Sequence, residues 1–89
     1  MFTSVGVETT KKFTVEEINH ALSRFDESDE LGTVLRAKGI VESVDGAWIH
    51  FDYVPGEPDV RLGSASIIGR LCVIGAGIDK EKIKALFGV

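Results

Sequence analysis

Cysteine, proline, tryptophan and tyrosine are all scarce in this 89-residue chain, which has one, two, one and one of them respectively. Each scarcity excludes something. A lone thiol, Cys72, has no partner for an intrachain disulfide, so packing must hold the fold. One cysteine with two scattered histidines, His20 and His50, contains no close pair of the kind a closed zinc site uses. Long apolar runs are missing too. Nothing approaches the roughly 20 residues that cross a bilayer, and Met1-Phe2-Thr3-Ser4-Val5 has neither the basic start nor the apolar core of a signal peptide. A reducing, cytoplasmic setting without a membrane fits these absences. Positive charge is in deficit, with ten Lys and Arg against fourteen Asp and Glu and a net charge of −4. That argues against nucleic acid, whose phosphates call for a clustered basic face. There is no G-x-x-x-x-G-K-[ST] phosphate loop. Gly75-Ala76-Gly77 has no lysine at that spacing and no third glycine at dinucleotide spacing, and reads as a tight strand-to-helix turn. No nucleophile with a matching base can be assembled, so no catalytic residue and no cofactor are predicted.

What is present suits one small domain. Hydrophobic residues make up 44% and charged residues 27%, enough for a core and a wet surface. Residues 2–9 are β-branched and partly alternating, which predicts a strand. Thr14 followed by Glu17 is a capping box, with Phe13 and Ile18 placed as its hydrophobic staple. Ile18, Ala21, Leu22 and Phe25 then form one helical stripe. This helix is expected to fade in Asp26-Glu27-Ser28-Asp29-Glu30, because carboxylates oppose the helix dipole at a C-terminal end. Thr33–Ser43 and Ala47–Val54 read as strands around Asp45-Gly46, a strong hairpin signal. Pro55 and Pro58 should stop the second strand, leaving 55–69 as the longest loop, with Val60-Arg61-Leu62 as an optional edge strand. The nearly continuous apolar run Arg70–Gly75 predicts a central strand buried on both faces. Asp79 caps a last helix, with Ile78 and Ile83 as staple, Ile83, Leu86 and Phe87 as its apolar face, and Gly88 at its end. The expected architecture is a two-layer α+β domain of order β-α-β-β-β-α, with helices packed on one face of an antiparallel or mixed sheet. Exposed edges in so small a sheet would permit a homodimer.

Two groups carry functional weight. A two-residue turn at Asp45-Gly46 would set Lys38 opposite Tyr53 and Ile40 opposite Phe51. Arg36, Lys38 and Tyr53 would then share a face as an anchoring patch for an acidic partner; one extra residue in the turn would reverse that assignment. The bland alternative is a pair of ordinary solvent-facing charges. His50 and Asp52 lie at i, i+2 on one strand face and form a candidate metal pair, with Cys72 or His20 as further donors. The bland alternative is a half-exposed histidine beside a surface carboxylate, with Cys72 an inert core residue. Trp48, Phe51 and Tyr53 are read chiefly as packing.

The strand Val34-Leu35-Arg36-Ala37-Lys38-Gly39-Ile40-Val41 resembles the R-x-K-G strand of the CobW C-terminal domain family. Trp48 on the return strand, Arg70–Gly75 ending in I-G, and Ile78-Asp79 with its helix follow in the family's order. The resemblance spans residues 14–87. It implies a module fused behind a P-loop GTPase of the metallochaperone type, associated with cobalamin synthesis or metal delivery. In that family the GTP site and the cysteine metal motif belong to the other domain, so the resemblance brings fold and association and no catalytic residue. It points to an accessory role, with a P-loop GTPase or a metalloprotein client as partner.

Overall fold

The sequence start signals act as read. In the computed structural model, which describes residues 2–27 and 31–89, Thr14 Oγ1 accepts from Glu17 N–H at 3.1 Å. Glu17 Oε1 accepts from Thr14 N–H at 2.9 Å. This reciprocal pair satisfies two donors that a helix start otherwise leaves open, and it begins α1, Val15–Glu27. The second helix, α2 (Lys80–Phe87), starts on Asp79, whose carboxylate accepts from the amides of Glu81 and Lys82. It ends on Gly88 in the left-handed region at φ 73°, where a residue without Cβ is least strained.

Among the described residues there are six strands: β1 (Phe2–Thr9), β2 (Lys12–Phe13), β3 (Thr33–Ser43), β4 (Trp48–Val54), β5 (Glu57–Gly63) and β6 (Gly69–Ala76). The spatial order is β1-β6-β3-β4-β5, with every neighbour antiparallel along that path. The two-residue β2 pairs parallel with the end of β3, which makes the sheet mixed. β1 and β3 therefore run the same way with β6 inserted between them, and α1 carries the chain from one to the other. The predicted α+β class, two-layer arrangement and helix positions hold.

Both helices cover one face of the sheet. Ile18, Ala21, Leu22 and Phe25 of α1 and Ile83 and Phe87 of α2 are buried against Val5, Val7, Val41, Ile49, Phe51, Leu71 and Val73. Phe87 is the hub of an aromatic cluster. Its ring stacks on Phe51 at 6.0 Å and meets Phe13 edge-on at 6.4 Å, while Phe25 lies 5.3 Å from Tyr53. Rings at these separations add to the large apolar area they bury.

Two expectations change. The stretch taken as a loop holds a full strand, β5, because Pro55 and Gly56 (φ 77°) turn the chain straight back. Pro58 sits in an edge strand, where its missing N–H disrupts no central ladder. β6 is central, as predicted, but buried on one face only. Leu71 and Val73 point inward while Arg70, Cys72 and Ile74 point outward, since neither helix covers that side. The end of α1 reaches Glu27; Ser28-Asp29-Glu30 lie outside the described residues.

The uncovered sheet face as candidate functional site

The hairpin turn decides which side chains meet. Ser43 N–H donates to Ala47 O at 2.8 Å and Gly46 N–H to Ser43 O at 3.1 Å, so the loop is three residues, Val44-Asp45-Gly46. Gly46 takes φ 92°, a conformation suited to glycine. The Asp45 carboxylate accepts from Ala47 N–H at 3.1 Å. That bond, then one with Ser43, holds the carboxyl below its ordinary pKa.

The extra loop residue moves the register by one and reverses faces along β4. Lys38 pairs with Asp52, Ile40 with His50 and Ala37 with Tyr53. The expected grouping of Tyr53 with Arg36 and Lys38 is therefore corrected. Tyr53 is 2% exposed on the helix-covered side. Its phenol donates to Asp26 Oδ1 at 2.5 Å, and the same oxygen accepts from Gly56 N–H at 3.1 Å. Burial, then the Asp26 bond and charge, pushes the phenol pKa well above its ordinary value. Asp26 sits where the helix dipole disfavours a carboxylate. Two donors compensate and tie the end of α1 to the β4–β5 turn.

Arg36 and Lys38 lie on the open face with His50 and Asp52. A bulge at Leu35, between Val34 and Arg36, shifts the strand's phase and sends Arg36 outward. Asp52 is held between two guanidinium groups, Arg36 at 3.5 Å and Arg61 at 3.3 Å, and Arg61 also reaches Asp59 at 3.0 Å. All of these groups are partly exposed, so the pairs fix geometry more than they add stability. His50 Nε2 lies 2.8 Å from Ser64 O. Its ring lies over Gly63, where a Cβ would come within 2.7 Å of it. Lys38 makes no hydrogen bond or ion pair among the described residues.

Lys38, His50, Asp52 and Arg61, but not Arg36 or Asp59, border a concavity of about 620 Å³ whose lining also includes Gly6, Ile40, Arg70 and Cys72. Gly6 has open space above it, so the outer side of β6 is bared. Cys72 there is half-buried, 3.5 Å from Ser4 Oγ, rather than sealed in the core. Ile74 and Val54 are exposed on the same face. Arg36 is the direct cross-strand partner of Ile74, and Lys38 of Cys72 and Asp52, so charged and aliphatic side chains alternate across this face.

His50 and Asp52 do share a strand face. The remaining proposed donors divide: Cys72 borders the same concavity, whereas His20 lies on α1 beyond the sheet. Among the described residues no group of three or more His, Cys, Asp or Glu is placed to hold a metal ion. Sequence reasoning missed Arg61 and Asp59, which fell in the expected loop, and Asp26, read as a helix-ending charge. The alternation of Asp59 and Arg61 about Val60 was the available signal for the first two; Asp26 had none. The glycine of the R-x-K-G strand has a structural reason. A Cβ at Gly39 would meet the Phe51 ring at 2.5 Å, so the ring packs directly against the glycine.

Among the described residues no helix is long and apolar enough to cross a membrane. No curated protein matches the chain. Two solved structures share its fold. A Zn(II)-bound triple mutant of the YjiA GTPase aligns with TM-score 0.80 and 17% identity, and Zn(II)-bound YjiA GTPase from E. coli with TM-score 0.75 and 20% identity. In both cases 98% of this chain is covered against 29% of the other, so the chain spans under a third of those proteins. The family described as "Cobalamin synthesis protein cobW C-terminal domain" matches residues 2–89. The covered sheet, the capped helices and the R-x-K-G strand thus have a common origin: the chain belongs to the CobW C-terminal domain family.

Proposed function

We propose that this domain is a non-catalytic interaction module of a CobW-type GTPase system, serving metal delivery or cobalamin synthesis. It docks to the GTPase or to a metalloprotein client through the open face of its sheet. One observation carries the reading: among the described residues a whole face of a five-stranded path is uncovered, with Ile74 exposed beside Arg36, Val54 exposed on the same face, and the Lys38 ammonium unpaired. Exposed aliphatic side chains interleaved with charge suit a partner surface, and Arg36 and Lys38 supply charge for an acidic counterpart. Both similar structures being GTPases supports the association. The test is capture of a purified CobW-type GTPase domain by the chain and by its Arg36→Glu, Lys38→Glu double variant. Recovery should fall at least about tenfold, as for loss of paired rim charges; unchanged recovery would sink this choice of surface.

A second reading, metal handover through His50 and Asp52, is favoured by their placement in one concavity with Cys72. A metal would have to compete with Ser64 O for His50 and with two arginines for Asp52. Zinc or cobalt titration decides it. Binding no tighter than nonspecific surface association, or binding unaffected by His50→Ala, rejects the pair.

A further inference from the structure

The sheet has two outer strands, and only one is protected. β5 carries Pro58 with Glu57, Asp59 and Arg61 along it, the devices that discourage a further strand from pairing. β1 has the opposite character: Phe2-Thr3-Ser4-Val5-Gly6-Val7 carries the β-branched Thr3, Val5 and Val7 and is without proline and without charge until Glu8. It pairs with β6 along all eight of its residues and, as the end of the strand order, has no second strand beside it among the described residues. Its backbone is a ready template for strand addition.

A groove of about 560 Å³ runs along this strand, between Gly6–Thr9 and the side of α2 that bears Lys80 and Lys84. Lys80 and Lys84, one helical turn apart, form a row, and neither ammonium group makes a hydrogen bond or ion pair among the described residues. Lys11 closes the groove but is committed to Phe87 O at 3.0 Å and Glu17 at 3.8 Å. Glu8, the carboxylate side chain of this stretch, turns to the other face, 4.0 Å from Arg70. A strand lying on β1 would therefore meet the ammonium groups of Lys80 and Lys84 on its α2 side.

We propose that the free edge of β1 is a strand-addition site for an extended, acidic segment of a partner polypeptide, whose carboxylates are read by Lys80 and Lys84. A second copy of this chain fits less well. Antiparallel pairing of two β1 strands about a twofold axis puts both α2 helices on the same side of the joined sheet. Lysine row then faces lysine row, and that repulsion works against self-pairing while leaving an acidic strand welcome.

Backbone amide shifts and hydrogen exchange test this on the 89-residue chain. The probes are ten-residue peptides alternating Glu with Thr or Val, and their lysine counterparts. The acidic peptides are expected to protect amides within Phe2–Thr9 and to bind about tenfold more tightly than the basic ones, the size of effect two exposed ion pairs can give. The preference should reverse in Lys80→Glu, Lys84→Glu, whose sites point away from the core and leave folding intact. Protection at β5 or on the open face instead, equal binding of both peptide classes, binding of neither, or a dimer that excludes the peptides would each overturn the proposal.

Discussion

The two faces of one sheet are built from the same strands and do opposite jobs. The covered face is almost wholly apolar and closes over an aromatic cluster, where Phe51, Phe87 and Tyr53 are at most 4% exposed. The open face has arginine–carboxylate pairs, an uncommitted lysine and a strip of exposed aliphatic side chains. Cores of this kind follow from burial energy, at roughly 25 cal/mol per Å² of apolar surface removed from water. The open face gains little stability from its exposed pairs, so its residue pattern is free to serve recognition. The same division explains why β6 looks apolar on both sides while only one side is buried.

The largest way to break this contrast is on the covered side. Phe51→Ala should cost about 3–5 kcal/mol in urea unfolding, because it empties a site under Phe87 and over Gly39. That is a large part of the ~5–15 kcal/mol available to a small domain. A loss under ~1 kcal/mol would mean the core is less closed than its exposure values indicate.

Tyr53→Phe probes a polar contact inside the covered face. It should cost about 1–2 kcal/mol at pH 7, since Asp26 keeps only Gly56 N–H of its two donors. The sign of the pH effect follows from the raised phenol pKa. The neutral phenol's contribution is fully present below the ordinary value of 10.0 and is lost as pH climbs through the higher folded value. Urea midpoints of the parent chain should therefore fall above pH 10.0, more steeply than those of Tyr53→Phe. Parallel curves would show that the Asp26 bond does not govern this ionisation.

The smallest stability effect is expected on the open side. Arg36→Glu with Lys38→Glu should change the unfolding free energy by no more than about 1 kcal/mol, since both sites are exposed. The change should appear in partner capture instead. A destabilisation matching Phe51→Ala would erase the distinction between the faces.

Much of the fold was legible because its signals are local. Thr14 with Glu17, Asp79 with its following amides, and Gly88 act through bonds spanning a few residues, so the sequence carries them whole. The stripe in α1 gave its inward side chains without knowledge of their partners, whereas the inward face of β4 depended on the length of the turn. β5 was obscured because Pro58 is forbidden only in a central strand, and edge position is a property of the whole sheet. The candidate site was half legible. Arg36 and Lys38 stand together on β3, as do His50 and Asp52 on β4, because period-two geometry requires it.

Amino-acid order alone thus determined the class of fold, the helix limits at their caps, and the absence of a phosphate loop. Those depend on composition and on contacts within a few positions. Which side of the sheet remained open was settled only by tertiary structure. One additional residue in the Val44-Asp45-Gly46 loop sent Tyr53 into the core and brought Asp52 beside Lys38. Both helices returned to the same face, leaving the other to water. Register and helix placement are choices among near-equal local alternatives, and long-range burial selects between them.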